Sequence, residues 1–234
     1  MIRSAFIILL LVNFSANVRT ENSDVFGNTG NYLAGDMEYV IWKDQLVQSV
    51  GIPKPAFDMA VSGYLNLKQQ NLLLNDTLLT IIDFSKPSVE KRLYIIDLKN
   101  RHVVKSTLVA HGINSGLQNA ESFSNALNSK KSSLGLYLTQ DTYQGKHGYS
   151  LRLEGMNKGL NDNAAKRAVV IHGADYVSEG FIRQTGRIGR SFGCPALPME
   201  ETTGIIDLIK NGSCLFIYHP TLDAKVLSDQ ESMN

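Results

Sequence analysis

The 234-residue sequence lacks several features that define familiar protein classes. It has only two cysteines, which is too few for the disulfide framework of a small secreted domain. Lysine plus arginine total 23 and aspartate plus glutamate total 22, for a net charge of +1. No long run of like charge stands out, so the composition indicates no nucleic-acid partner. The chain is long enough, at 43% hydrophobic residues, to bury the core of one domain.

Long apolar runs are also missing. The first one, AFIILLLV at residues 5–12, is far shorter than the roughly 20 residues that a membrane-spanning helix requires. A positive start at Arg3 precedes it and small residues follow it up to Thr20, which is the order of a secretory signal peptide. We expect export, with no stable membrane span after cleavage. A packed N-terminal helix is the alternative, and the cleavage site stays open.

The remaining chain divides by composition into three parts. A polar leader and helical lead-in occupies residues 21–77, a β-rich domain residues 78–222, and a polar tail residues 223–234. Asp36 is placed to cap a first helix that ends at Gly51, and Pro55 opens a second helix.

Short β-rich runs dominate after residue 77, and one amphipathic helix is evident among them. The predicted strands and the predicted helix are Leu78–Phe84, Leu93–Leu98, Val103–Ala110, Leu134–Thr139, Tyr149–Leu153, Ala168–His172, helix Met199–Lys210 and strand Ser213–Tyr218. Lys99-Asn100-Arg101 joins two strands as a hairpin. The fold class expected is α+β, predominantly antiparallel β.

Cys194 stands in GRSFGCPAL and has three possible roles: a small apolar residue, half of a disulfide, or a nucleophile. Its disulfide partner would be Cys214, which lies in SCLFIYHP, a segment typical of a buried strand. A nucleophilic thiol needs a base or positive potential beside it, because its ordinary pKa lies near 8.5.

Residues upstream of Cys194 offer such a base. His172 ends a predicted strand, and the loop after it is long enough to return Cys194 to its side. Gly193 permits a tight turn with exposed N–H groups, while Arg187 and Arg190 add positive charge nearby. A cysteine and a histidine 22 positions apart are by themselves a weak signal.

A set of ordered motifs makes the signal specific. The segments FSN, KSSLGLYLT, YQGKHGYSLRLEG, RAVVIHGADYVS and GRSFGCPA, over about residues 50–220, resemble the catalytic domain of the murein L,D-transpeptidase (YkuD-like) family, in particular its Gram-negative branch. The resemblance implies a periplasmic enzyme without metal or organic cofactor. Such an enzyme acts on peptidoglycan stem tetrapeptides, releases D-alanine through a cysteine thioester and forms 3-3 cross-links.

The resemblance also assigns roles to individual residues. Cys194 matches the nucleophile, and His172 matches the histidine that moves protons. Gly173 matches the glycine whose carbonyl orients that imidazole, and Ser191 occupies the hydroxyl position of the motif. The N–H groups of Gly193 and Cys194 would receive the oxyanion.

Substrate binding is predicted less directly. His147 and Tyr149, in GKHGYS, are candidates to line the donor groove, and a surface histidine at a strand start is the alternative for His147. The chain departs from the wider family at Phe192, where a polar residue is usual, and it lacks an arginine or asparagine soon after the cysteine. Arg187 or Arg190 would then supply the missing charge.

Three activities remain open on the same site. Water in place of the acceptor amine would make the protein an L,D-carboxypeptidase, and loss of chemistry would leave a wall-binding protein. A zinc peptidase is disfavoured because the five histidines form no HExxH motif. Ser132-Ser133 is interpreted as a polar loop over the site, and the oligomeric state is not predicted.

Overall fold

A computed structural model describes residues 37–222 of the chain. The predicted signal peptide, most of the leader with its capping Asp36, and the polar tail lie outside this range. The helices are α1 (Met37–Val50), α2 (Lys54–Gln69), α3 (Glu179–Thr185) and α4 (Met199–Ile209). The strands are β1 (Leu78–Asp83), β2 (Leu93–Asp97), β3 (His102–Thr107), β4 (Gly135–Gly145), β5 (Gly148–Gly155), β6 (Val170–Gly173), β7 (Ala196–Leu197) and β8 (Cys214–Tyr218).

All eight strands form one sheet in the order β3-β2-β1-β8-β4-β5-β6-β7. The pairs β1/β8 and β6/β7 are parallel and the other neighbours are antiparallel. The expectation of a predominantly antiparallel α+β fold is confirmed. β1 and β8 lie in the middle of the sheet, and every residue of both is buried. Strands covered on both faces carry such nearly continuous apolar runs.

The two lead-in helices form where the sequence predicted them. α2 packs against β1 and β8, and it buries Ala56, Ala60, Tyr64 and Leu67. Trp42 of α1 packs edge to face on a phenylalanine of α2, with ring centroids 5.8 Å apart. Within residues 37–222, no helix has both the length and the apolar character needed to cross a membrane.

β4 extends further than predicted. The predicted strand ends at Thr139, whereas β4 continues to Gly145 and pairs with β5 through a register shift between Thr139 and Thr142. The added residues are polar and mostly exposed or half-buried, so they carry no alternating apolar pattern. The hairpin therefore projects beyond the buried part of the sheet, and its tip is Lys146-His147.

Two short elements were not predicted. α3 buries none of its residues, so it has no apolar period. Its signal is in the caps: the Ser178 hydroxyl accepts the Phe181 N–H, and Gly186 ends the helix at φ 75°. β7 has only two residues, and its register with β6 places Ala196 beside His172. That pairing brings the two chemically interesting segments to the same edge of the sheet.

Candidate active site

The segment that carries Cys194 is a tight turn closed by Ser191. The Ser191 hydroxyl donates to the Cys194 carbonyl at 2.6 Å and accepts the Gly193 N–H at 3.0 Å. Gly193 has φ 126°, a conformation that favours glycine, and a Cβ there would lie 2.8 Å from the Lys131 carbonyl oxygen. Of the two predicted oxyanion donors, the Gly193 N–H is thus already engaged by Ser191.

Neighbouring chain segments hold this turn from both sides. Ser191 donates its N–H to the His111 carbonyl at 3.0 Å, and its own carbonyl accepts the Ile113 N–H at 2.8 Å. Ser132 donates its hydroxyl to the Gly193 carbonyl at 3.2 Å and accepts the Gly112 N–H at 3.0 Å. Ser132 lies in the polar loop that the sequence placed over the site, and its role is to support the turn.

The Cys194 thiol is half-buried and unpaired. It donates to the Ala168 carbonyl at 3.6 Å, just before β6 begins. Cys214, the alternative disulfide partner, is a free buried thiol at the start of β8. Three strands separate β8 from β7 in the sheet, whereas a disulfide needs Cα atoms within about 7 Å. The disulfide interpretation of Cys194 is therefore wrong, and its environment is not that of a core filler.

His172 lies on β6 with 3% of its surface exposed. Its Nδ1 is 2.9 Å from the Gly173 carbonyl oxygen. Because a carbonyl only accepts, Nδ1 carries the proton and Nε2 is left with its lone pair. A side chain at Gly173 would contact the sulfur of Met199 at 2.6 Å and the hydroxyl of Thr202 at 2.8 Å. Packing of α4 on β6 therefore also requires glycine at this position.

Among the described residues, no hydrogen bond joins the Cys194 sulfur to the His172 imidazole. The sulfur contacts the backbone at Ala168 and Val170, and Val170 is two residues before His172 on β6. Two residues of a strand span about 7 Å. The two side chains lie at the same sheet edge, in a resting arrangement that is looser than a bonded pair, as is common for catalytic groups without substrate.

Their surroundings favour the neutral forms of both the Cys194 thiol and the His172 imidazole. Burial raises the pKa of the Cys194 thiol, while the Val170 N–H and the positive charges of Arg167 and Lys146 act to lower it. Burial also lowers the pKa of His172, assisted by the nearby His147 and Lys146 and opposed by the Gly173 carbonyl. The arrangement is a thiol beside an unprotonated imidazole, which can take up a proton during attack.

Arg187 and Arg190 are directed to backbone groups. The Arg190 guanidinium donates to the carbonyls of Ile113 and Gly116 at 3.1 and 2.8 Å, and Arg187 donates to the Ile188 carbonyl at 2.8 Å. Their assignment to the substrate stays a prediction.

His147 and Tyr149 take different positions. At the tip of the β4–β5 hairpin, His147 stacks on His172, with ring centroids 4.4 Å apart and planes 22° apart. Tyr149 donates its phenol to Asp207 of α4 at 2.7 Å. His147 therefore borders the site as a cover over the imidazole, and Tyr149 ties the hairpin to α4.

Some residues at the site were not singled out from the sequence. Arg167, three residues before the start of β6, extends its guanidinium to the loops around Cys194. Its only sequence signal is a basic residue at the start of RAVVIHG, which resembles many solvated arginines. Phe192 was noted as a departure, and it is 68% exposed with the Lys130 ammonium 4.8 Å from its ring centroid. Within residues 37–222, no three His, Cys, Asp or Glu residues are grouped to hold a metal ion.

Comparisons with known proteins agree with these motifs. A family model described as the L,D-transpeptidase catalytic domain matches residues 48–218. No curated protein matches the chain.

Several solved structures are similar to the chain. An L,D-transpeptidase from Mycobacterium smegmatis is 11% identical with a TM-score of 0.37, covering 61% of this chain and 59% of that one. L,D-transpeptidase 1 from Mycobacterium tuberculosis is 10% identical with a TM-score of 0.35, covering 60% and 61%. An L,D-transpeptidase from Xylanimonas cellulosilytica is 14% identical with a TM-score of 0.34, covering 59% of each. The chain thus spans about six tenths of the length of these proteins, and similarity at this level supports no further argument.

Proposed function

Because the chain belongs to the L,D-transpeptidase catalytic domain family over residues 48–218, we propose that it is a cysteine L,D-transpeptidase acting on peptidoglycan stem tetrapeptides. One observation carries the proposal. The Cys194 thiol rests on the Ala168 carbonyl at the start of the strand that bears His172, whose Nδ1 faces the Gly173 carbonyl and whose Nε2 is free to accept a proton.

The first half-reaction forms the acyl-enzyme. The thiol leaves the Ala168 carbonyl and gives its proton to Nε2 of His172, and the sulfur attacks the carbonyl carbon of the bond between diaminopimelate and terminal D-alanine. The Cys194 N–H, which donates to no other described residue, stabilises the oxyanion. The C–N bond then breaks, His172 returns the proton to the leaving amine, and D-alanine departs from a thioester on Cys194.

The second half-reaction transfers the acyl group. The amine of a second stem peptide attacks the thioester carbon and gives a proton to His172. The C–S bond breaks and the thiolate of Cys194 regains the proton. The product is a 3-3 cross-link, and the enzyme returns to its starting state. This sequence needs no metal or redox partner, and the stem peptides are the only ligands that it involves.

The proposal includes a location. Peptidoglycan lies outside the cytoplasmic membrane, so the protein acts in the periplasm after export by the sequence at residues 1–20. Fractionation of cells expressing the full chain, with N-terminal sequencing of the mature protein, tests export and the cleavage position together.

The catalytic proposal is tested with purified protein and a disaccharide-tetrapeptide. We expect mass spectrometry to detect a cross-linked dimer that has lost one alanine. Loss of alanine without a dimer would identify an L,D-carboxypeptidase, and unchanged substrate would identify a wall-binding protein. Either result overturns the transpeptidase proposal.

A matched pair of cysteine variants assigns the nucleophile. Cys194→Ala is expected to abolish product and the thioester adduct, because no other described thiol is accessible. Cys214→Ala removes the buried thiol of β8 and should keep the activity, with only a modest loss of stability from the small cavity. Full activity of Cys194→Ala contradicts the mechanism.

A further inference from the structure

The guanidinium of Arg167 occupies a half-buried position that no carboxylate of the described residues neutralises. Its Nη1 donates to the Ser124 carbonyl and the Ser133 hydroxyl, both at 2.8 Å. Its Nη2 donates to the Ser129 hydroxyl at 3.3 Å and to the Lys131 carbonyl. All four acceptors are neutral, and within residues 37–222 no ion pair involves this arginine. A cation held away from water without a counter-charge is costly unless an anion forms beside it.

The nucleophile is the group next to this cation. A Cβ placed on Gly193 would lie 3.2 Å from Nη2 of Arg167, so the guanidinium contacts the residue that precedes Cys194. On the other side, Ala168 directly follows Arg167 and its carbonyl accepts the Cys194 thiol at 3.6 Å. Arg167 thus borders Cys194 through both of the backbone segments that enclose the sulfur.

Among residues 37–222, two titratable groups interact appreciably with Arg167. One is the phenol of Tyr137, which hydrogen-bonds Ser133, and burial raises the pKa of Tyr137 to about 12. It therefore stays neutral at physiological pH. The other group is Cys194, which becomes an anion when it gives up its proton. The thiolate is the counter-charge that this site can create.

Arg187 and Arg190, the arginines singled out from the sequence, act on His111. Arg187 and Arg190 bond backbone carbonyls of their own surroundings, and their charge acts on the buried His111. Among the described residues, the cations with the largest effect on the pKa of Cys194 are Arg167 and Lys146, and Lys146 is at the exposed hairpin tip.

We propose that Arg167 is a positioning residue for the nucleophile: its charge stabilises the Cys194 thiolate, and its hydrogen bonds hold the 124–133 loop against the turn that carries the cysteine. The proposal rests on the proposed function only in taking Cys194 as the reacting thiol. It assigns stabilisation of the thiolate to Arg167, while binding of the substrate by Arg187 or Arg190 stays a prediction.

Alkylation of Cys194 by iodoacetamide tests the charge without any peptide substrate. The thiolate attacks the CH₂ carbon, a C–S bond forms and iodide leaves, so the rate follows the thiolate fraction. Cys214 is fully buried and does not compete. In Arg167→Gln we expect the pH midpoint of alkylation to rise by about one unit and the rate at pH 7 to fall about tenfold. Arg167→Lys keeps the positive charge, so its pH midpoint should lie close to that of the wild type.

Two controls separate charge from structure. Arg183→Gln removes an exposed arginine of α3 and should leave the midpoint unchanged. Arg190→Gln removes the rival charge and should also leave it unchanged. A purely structural role of Arg167 would lower the melting temperature of Arg167→Gln without moving the midpoint. A folded Arg167→Gln protein with the wild-type midpoint, or a shift in Arg190→Gln instead, overturns the proposal.

A second measurement does not depend on folding of an Arg167 variant. In Lys146→Gln, a substitution at the exposed hairpin tip, Arg167 is the remaining cation at the sulfur. The ratio of the rate with anionic iodoacetate to the rate with neutral iodoacetamide should then be higher for Cys194 than for a small free thiol such as 2-mercaptoethanol. An equal ratio overturns the proposal. Neither alkylation assay uses peptidoglycan. The outcome of each is therefore independent of whether the peptide assay yields a dimer, a monomer or no product.

Discussion

At the scale of single residues, Ser191 does the most to shape the nucleophile. One hydroxyl closes the turn by accepting the Gly193 N–H and donating to the Cys194 carbonyl. Among the described residues, the Cys194 N–H then has no partner other than its own thiol. In the proposed mechanism, Ser191 therefore sets both the conformation of the turn that carries the thiol and the N–H that receives the oxyanion.

Replacing Ser191 by alanine is expected to impair activity more than stability. Two backbone groups lose their partner, which costs about 1–3 kcal/mol of unfolding free energy. Displacement of the nucleophile should lower kcat about 10- to 100-fold, and Ser191→Thr, which keeps the hydroxyl, should recover most of it. Steady-state kinetics and thermal melts measure the two effects.

The matched control is Ser178→Ala, which removes the N-cap of α3. It should cost about 1 kcal/mol of stability and leave kcat unchanged. Equal losses of kcat in the two alanine variants would show that the turn has no special role.

At the scale of elements, the β4–β5 hairpin covers the catalytic edge of the sheet. The hairpin extends past the core, and its tip brings His147 over His172 at 4.4 Å between ring centroids. Tyr149 secures it to α4 through Asp207. This cover accounts for part of the burial that keeps the imidazole unprotonated, since burial is the main cause of the lowered pKa of His172.

Removal of the stacked ring is expected to change the pH dependence of activity. In His147→Ala the imidazole of His172 gains water and loses the stacked His147 ring, so the pKa of His172 should rise toward the ordinary value of about 6.5. The proposed mechanism requires the unprotonated imidazole, so the acid limb of kcat/KM should move to higher pH. NMR titration of His172 and the pH profile of kcat/KM measure the shift.

His102→Ala, at an exposed position on the edge strand β3, serves as the comparison for loss of a histidine. The acid limb of the kcat/KM profile is compared among His147→Ala, His102→Ala and wild type. If the three limbs coincide, the hairpin has no covering role.

At the scale of the whole molecule, a buried arginine and histidine link the sheet to the site. Arg92 is fully buried and donates to the carbonyls of Val109 and Lys86 and to Nδ1 of His111 at 2.8 Å. Its guanidinium also lies 4.9 Å from the ring centroid of Phe84. Burial and the charge of Arg92 lower the pKa of His111 to about 3. The His111 carbonyl also accepts the Ser191 N–H, so the buried pair is joined to the turn that carries Cys194.

Acid should destabilise the protein through His111. The pKa is about 3 folded and about 6.5 unfolded, so the unfolded state binds more protons between these values. The stability contributed above pH 6.5 is then lost as pH falls toward 3, at up to about 1.4 kcal/mol per pH unit. His111→Asn, which can accept from Arg92 but does not titrate, should flatten this dependence in urea unfolding measured from pH 7 to pH 4.

Other groups titrate in the same range, so the comparison is between variants. His102→Asn removes an exposed histidine and should keep the wild-type slope. The same slope in His111→Asn and wild type would contradict the assignment.

The sequence by itself determined the elements and the family. The runs of β1 and β8 are readable because both faces of these strands are buried, which makes the runs nearly continuously apolar. The helices α2 and α4 are readable because their apolar period reflects one buried face. The order of His172, Gly173, Ser191 and Cys194 was readable because each is a distinct residue type in a motif. Short or exposed elements such as α3, β7 and the outer half of β4 have no such period, so they were missed.

Only the tertiary structure decided which groups meet. The strand order separates Cys194 from Cys214 and so excludes a disulfide between them. Their spacing along the chain could not exclude it. The β6/β7 pairing brings Cys194 to the edge that bears His172, and the fold places the Arg167 guanidinium against Gly193, the residue before Cys194. Charge and burial act through space over a few ångströms, whereas the sequence records only separation along the chain. The sequence motifs are therefore enough to identify Cys194 and His172 as the candidate reacting residues. The charges and the burial around these two residues depend on the folded sheet.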